Sequence, residues 1–273
     1  MLDLNDSNGL ITDLITSEKP FSVGRLGIGE ILLFDKVINN KQITDEDVKK
    51  ANNFGGVYGD CFNEFIEIYL NAIKNSDIHC YWVNCGLNME QDGLLLKTSP
   101  ESIKIHHRAV EPYYSTTPWS KALKGKKVLV INSFPDTITN QYKIIEKIWG
   151  DKEILPEFDL ITYKSVQSIG TLNPHNSWVE SLNVMKNDIA NIDFDIALLG
   201  CGTYGLPLVD FIKNNLNKQA IYVGGAIQIL FGIKGSRWDN HDEIKLFFNE
   251  NWVRPLDSER IDNYKILENG CYW

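Results

Sequence analysis

A glycine-spaced turn late in the chain carries the clearest chemical signal. In Ala197-Leu-Leu-Gly-Cys-Gly-Thr-Tyr-Gly-Leu-Pro207 an apolar run stops at Gly200, and Gly202 and Gly205 follow with the spacing G-x-G-x-x-G. Val209, Ile212 and Leu216 then recur at helical spacing. Strand, glycine turn and helix in that order let the backbone turn sharply and approach a phosphate, while the helix N-terminus presents free N–H groups and a positive dipole end. Glycine turns also end strands that bind nothing, so the motif alone leaves both readings open.

A second glycine pair opens Gly224-Gly-Ala-Ile-Gln-Ile-Leu-Phe-Gly-Ile-Lys-Gly-Ser-Arg-Trp238, with Lys234 and Arg237 close behind as cations for a diphosphate. The other reading is a helix end with solvated cations favoured by the dipole. Early in the chain, Arg25-Leu-Gly-Ile-Gly-Glu30 places Gly27 and Gly29 in a tight loop between opposite charges. Arginine can grip a phosphate bidentately, and a carboxylate there can hold a sugar hydroxyl, a metal or an acceptor proton; the alternative is an Arg25–Glu30 ion pair bracing a loop. The run from His106 to Trp119 mixes Glu111 with Tyr113, Tyr114 and Trp119, residues suited to a sugar-binding platform or to a packed connecting segment.

These residues need elements to position them. Six strands are predicted, at roughly 21–25, 78–83, 127–131, 160–163, 195–199 and 220–223. Several are continuous apolar runs, as a parallel sheet covered on both faces requires. Helical spacing links Phe62, Phe65, Ile66, Tyr69 and Ile73; Ile138, Tyr142, Ile145 and Trp149; and Trp178, Leu182, Met185 and Ile189. Ser177 and Glu180 form a capping box, and Pro135 suits a helix start. The expected fold is α/β: a single Rossmann-like, doubly wound, mostly parallel sheet with helices on both faces, in one domain spanning 1–273, with 1–20 as an N-terminal extension or helix. Ligands in such sheets bind at the carboxyl ends of the strands. Asn132, Ser133, Asp136, Ser165, Gln167 and Ser168 would lie along the same edge.

Composition narrows the function. The net charge is −9 and no basic run is present, which argues against nucleic acid and anionic membrane surfaces. Five cysteines without a C-x-x-C read as reduced thiols in a cytoplasmic protein. No apolar run approaches the ~20 residues that cross a bilayer, and the acidic N-terminus does not read as a signal peptide. Walker, H-E-x-x-H and G-x-S-x-G motifs are absent from the sequence. A dinucleotide fold fits poorly: the glycine motif comes late, and the next strand ends in Gly224-Gly225 rather than an acid.

Taken together, Arg25-Leu-Gly-Ile-Gly-Glu30, the Leu198–Pro207 segment and the Gly224–Trp238 segment resemble the GT-D-fold glycosyltransferases and their relatives in polysaccharide gene clusters. Trp252-Val-Arg-Pro and Gly270-Cys-Tyr-Trp273 look like that group as well, so the resemblance runs from about Phe21 to the end. It implies transfer of a sugar from a nucleoside-diphosphate sugar to a hydroxyl of a growing glycan. The donor would be held at Arg25, Gly27, Gly29, Gly200, Gly202, Thr203, Tyr204, Gly205, Gly224, Gly225, Lys234 and Arg237. Glu30 would bind the sugar or act as base, with Glu111 the next carboxylate. The family's D-x-E pattern falls on Ile28, Gly29 and Glu30, so its first acid is missing. A lone carboxylate holds a divalent cation poorly. Mn2+ or Mg2+ use is therefore open, and Lys234 or Arg237 could stabilise the leaving diphosphate instead. The alternatives are another nucleotide-dependent Rossmann-like enzyme, such as an oxidoreductase, and a nucleotide-sugar-binding protein without catalysis.

Overall fold

The apolar strand runs are explained by two buried faces. In the strand Lys127–Asn132, Val128 and Val130 belong to one buried cluster, and Leu129 and Ile131 to the other. In Ile196–Gly200, Ile196 and Leu198 divide in the same way from Ala197 and Leu199. Period-two alternation sends successive side chains to opposite faces, so a run without polar positions requires cover on both.

The structure, a computed structural model, describes residues 1–169, 173–262, 264–266 and 269–273. Helix α1 (Leu4–Thr16) precedes β1 (Ser22–Gly24). Helices α2 (Ile28–Ile38), α3 (Asp45–Gly55) and α4 (Phe62–Asn75) lead to β2 (Ile78–Tyr81), and α5 (Asn88–Thr98) leads to β3 (Ile103–His106). Short 3-10 turns carry the chain to β4 (Lys127–Asn132), and α6 (Pro135–Tyr142) and α7 (Ile145–Trp149) to β5 (Asp159–Lys164). Helix α8 (Trp178–Ala190) precedes β6 (Ile196–Gly200), and α9 (Gly205–Asn214) precedes β7 (Gln219–Tyr222). Short helices α10 (Ile227–Leu230) and α11 (Ser236–Asp239) begin the C-terminal segment.

The strands form one seven-stranded sheet in the order β3-β2-β1-β7-β6-β4-β5. Every pairing is parallel. Helices α2, α4, α5, α8 and α9 bury their apolar faces on one side, and α1, α6, α7 and α10 on the other. The chain steps outward from β4 to β5, then returns to the opposite side of β4 for β6. Such reversals open a crevice at the carboxyl ends of the strands.

The expected α/β doubly wound sheet is present, with differences that have local causes. It has a seventh strand, β3, and is parallel throughout. β3 was hidden because it is a short edge strand in which Ile105 is buried while Ile103 is exposed. The single helical pattern from Ile138 to Trp149 is divided into α6 and α7 at residues 143–144. Pro135 does sit in the first turn of α6. Ser177 caps α8 by accepting from the Glu180 N–H, but the Glu180 carboxylate accepts from the Asn176 N–H instead of closing the box on Ser177.

One buried histidine makes the fold sensitive to acid. His79 on β2 is fully buried, its Nε2 lies 2.9 Å from the Ile73 carbonyl, and its Nδ1 has no partner. Burial pushes its pKa from 6.5 down to about 4. Below 6.5 the unfolded chain takes up a proton that the folded chain refuses, so stability falls with pH until about 4. The loss between pH 7.5 and 4 should be about 3 kcal/mol from this residue. Urea unfolding across that range should show a smaller loss in His79→Gln; parallel pH curves for the two proteins would contradict the assignment.

Candidate functional site

A cleft with a cavity volume of about 140 Å³ lies at the carboxyl ends of β4, β5, β6 and β7. Both glycine turns line it, the first through Gly200, Gly202, Thr203 and Tyr204, the second through Gly224 and Gly225. The Asn132 side chain ties its floor by donating to the Gly200 carbonyl at 2.7 Å, joining β4 to β6.

The glycines of the G-x-G-x-x-G run have different jobs. A Cβ at Gly200 would lie 2.7 Å from the Gly224 carbonyl oxygen, so the glycine lets the two turns meet. A Cβ at Gly205 would lie 2.6 Å from Cζ of Tyr222, which lets α9 pack on β7. Gly202 instead has φ +59°, and a Cβ there would meet nothing within 4 Å. Its freedom serves the backbone conformation and leaves open space at the cleft. Gly202→Val should therefore weaken nucleotide binding about tenfold or more, while costing roughly 1–2 kcal/mol of stability from the left-handed conformation. Calorimetric titration and thermal melting of the same sample check this; a folded variant with normal affinity would make the turn purely structural.

The side chains inside that turn are occupied. Thr203 Oγ1 donates to the Gly55 carbonyl and accepts from Trp178 Nε1 at 3.0 Å. Tyr204 OH lies 2.7 Å from Ser168 Oγ, and its ring stacks on Trp178 at 5.1 Å. Thr203 and Tyr204 thus face the cleft as part of a brace to α3 and α8. What this turn presents to a ligand is chiefly backbone, at the start of α9.

Two arginines flank the second turn. A Cβ at Gly224 would lie 3.5 Å from Arg25 Nη1, and one at Gly225 would lie 3.5 Å from Arg237 Nη1. Arg25 Nη1 donates to the Val223 carbonyl at 2.7 Å and to Glu111 Oε1 at 3.3 Å, and its guanidinium sits 4.7 Å over Trp82. The alternative of an Arg25–Glu30 pair gives way to Arg25–Glu111, because β1 delivers Arg25 toward the segment after β3. Arg237 stacks at 4.7 Å on the ring of Tyr272, a residue lining the cleft. Lys234 is not brought to the cleft: its backbone N–H donates to the Val253 carbonyl, and its ammonium lies over Phe248.

Glu30 occupies the first turn of α2, whose N-cap is Gly27. A Cβ at Gly27 would lie 3.3 Å from the Glu30 carboxyl carbon, so the carboxylate folds back over its own helix start. Burial raises its pKa, while the Glu30 and Gly27 N–H groups and Arg25 pull it down. Its charge is felt by the Tyr222 hydroxyl, which donates to the Gly202 carbonyl at 2.7 Å. Glu30 is thus near Tyr222 but is not among the residues lining the cleft. Gly27 and Gly29 shape the α2 start and do not line the cleft either. Glu111 is held by Arg25 and by Tyr113 OH at 3.0 Å. Of the two readings of this run, the packed connecting segment holds for Tyr113 and Trp119, which are buried, with Trp119 Nε1 donating to the Ala109 carbonyl.

The D-x-E positions do not fit a divalent cation. Ile28 is 51% exposed and has no ligand atom, Gly29 has no side chain, and the Glu30 carboxylate is turned onto its helix start. Among the described residues no group of three or more His, Cys, Asp or Glu converges as a metal site.

Several cleft residues escaped the sequence reading. Gln228 lines the cleft, donates through Nε2 to the Tyr272 carbonyl at 3.0 Å, and leaves its buried Oε1 without a partner. Tyr272 and Trp273 form an aromatic wall, with Trp273 edge-on to Phe134 at 5.5 Å. Glu259 is buried and accepts from the N–H groups of Asp136 at 2.7 Å and Thr137 at 3.2 Å. It thus fills the α6 helix start with the protein's own carboxylate. The Gly224–Trp238 and Gly270–Trp273 segments stood out in the sequence, but nothing local gave Gln228, Tyr272, Trp273 or Glu259 these places, since each acts on a segment distant in the chain.

Fold and cleft together define an open, parallel α/β protein of Rossmann-like type with a crevice at the strand ends. No family model matches the chain, and no curated protein does. Among solved structures it is similar to a glycosyltransferase (DUF1792) from Streptococcus sanguinis, at 15% identity and a TM-score of 0.48, covering 94% of this chain and 95% of that one. A second, described as the highly conserved domain of unknown function 1792 with a distinct glycosyltransferase fold, gives 16% identity and a TM-score of 0.45 over 82% of this chain and 77% of that one. A selenomethionine-substituted DUF1792 structure gives 15% identity and a TM-score of 0.46 over 82% and 78%.

Proposed function

We propose that this protein is a glycosyltransferase that moves a sugar from a nucleoside-diphosphate donor to a hydroxyl of a glycan. The observation that carries the reading is the convergence of two glycine turns, far apart in sequence, on one cleft at the strand ends. Backbone N–H groups at the start of α9 and at Gly224–Gly225 suit a diphosphate, and the aromatic wall of Tyr272 and Trp273 suits a ring stacked beside it. The resemblance of the same motifs to GT-D glycosyltransferases supports sugar transfer over other uses of a nucleotide. Glu30, its carboxyl raised by burial, is the proton acceptor proposed for the acceptor hydroxyl, a role that requires the carboxylate to turn from the α2 start into the cleft when ligand binds.

The test is a turnover assay with a panel of nucleotide sugars and glycan acceptors, reading release of nucleoside diphosphate and formation of product. Acceptor-dependent release with one donor class supports the proposal. Tight donor binding without turnover would favour a binding protein, and stabilisation by NAD with none by nucleoside diphosphates would favour an oxidoreductase.

A further inference from the structure

Resting on the reading of a nucleoside-diphosphate donor, we infer that Gln228 sets the specificity of the cleft: its side-chain carbonyl accepts a hydrogen bond from an N–H or O–H of the bound donor. Among the described residues that line the cleft, none carries a charged side chain. Selection there falls to neutral hydrogen-bonding groups and aromatic faces. Several of the polar side chains are engaged by the protein itself. Asn132 donates to the Gly200 carbonyl and accepts from the Phe134 N–H at 3.1 Å, and Tyr222 OH donates to the Gly202 carbonyl. Gln228 differs. It follows the second glycine turn, is 1% exposed and lines the cleft, yet its Oε1 has no partner among the described residues.

Chemistry fixes which way the amide faces. A backbone carbonyl only accepts, so the group set 3.0 Å from the Tyr272 carbonyl must be the NH2, and the oxygen is left on the other side. An amide that served only to hold Tyr272 would leave a buried acceptor permanently unpaired, which is destabilising. One other residue of the lining is in the same condition: Trp273 Nε1, a donor, is buried and without a partner among the described residues. One acceptor and one donor thus stand unpaired at the wall of Tyr272 and Trp273, which suits a flat ring bearing neutral polar groups, as a base or a sugar does. Because Oε1 is covered, the bond requires the Gln228 amide or that wall to shift as the ligand enters. A site that hydrogen-bonds its ligand in this way rejects an analogue lacking the donating group, since the buried acceptor then stays unpaired.

Calorimetric titration of the protein and of Gln228→Met tests this with UDP, CDP, GDP and ADP, and with hexose conjugates of whichever binds, each sugar hydroxyl replaced in turn by hydrogen. UDP and CDP, like GDP and ADP, differ in whether a ring nitrogen carries hydrogen, so these pairs report a bond to the base; the deoxy sugars report a bond to the sugar. The protein should favour one member of a pair, or the intact sugar over one deoxy form, by about tenfold or more, and Gln228→Met should reduce that same preference to within about threefold. Collapse of the base preference places the donating group on the base, and collapse of the sugar preference places it on the sugar. No such preference in the protein, or one unchanged in folded Gln228→Met, would overturn the inference and leave the donor reading intact. So would a uniform loss of affinity with every ratio kept, the signature of a residue that only braces Tyr272. Should Gln228→Met fail to fold, Gln228→Asn, which draws the amide back, must show the same collapse, and unchanged ratios would again overturn it. Binding of no nucleoside diphosphate would overturn the donor reading and this inference with it.

Discussion

Glu30→Gln is expected to lower sugar transfer about 100-fold or more and to leave the protein folded. The amide keeps the size of the carboxylate and can still accept from the N–H groups at the start of α2, so the helix cap survives. It cannot take a proton. If Glu30 is the base, the loss falls on kcat; if it grips the donor sugar, it falls on donor KM. Burial raises the carboxyl's pKa, which suits a proton acceptor better than an ordinary surface acid. The readout is steady-state kinetics with the donor and acceptor found in the turnover assay, beside a melting curve. Full activity would remove Glu30 from the mechanism.

Gly200→Val is expected to destabilise the protein by about 3 kcal/mol or more, the high end for overpacking, because the collision is with backbone. A Cβ at Gly200 would meet the Gly224 carbonyl at 2.7 Å, where the two glycine turns touch. Neither turn can retreat, since each ends a central strand of the sheet. Chemical denaturation of Gly200→Val beside Gly202→Val separates the two roles. The first should lose fold, the second should lose ligand, and equal stability of the two variants would contradict the division.

That division was only partly legible in the sequence. The spacing of Gly200, Gly202 and Gly205 marked a strand-turn-helix unit, and the apolar runs marked a sheet covered on both sides. Periodicity is a local property, and these elements carry it strongly. It could not say that Gly200 and Gly205 are small for packing while Gly202 is needed for its positive φ, because that depends on Gly224 and Tyr222 across the sheet. Arg25 was read with the nearby Glu30, yet it pairs with Glu111, 86 residues away. Thr203 and Tyr204 were read as ligand contacts, yet α3 and α8 claim their side chains. Lys234 follows the glycine pair in sequence, but the bridge between Ile233 and Val253 turns the chain toward Phe248. β3 was missed because a short edge strand buries too little to show alternation.

On the proposed function, the cleft between the two glycine turns receives the diphosphate of a nucleotide donor. The most direct measurement is a crystal structure of the protein soaked with the nucleoside diphosphate that stabilises it most in a thermal shift assay. The phosphates should lie within hydrogen-bonding distance of the backbone at Gly202–Gly205 and Gly224–Gly225. Phosphates bound elsewhere on the protein, with this cleft unchanged, would contradict it.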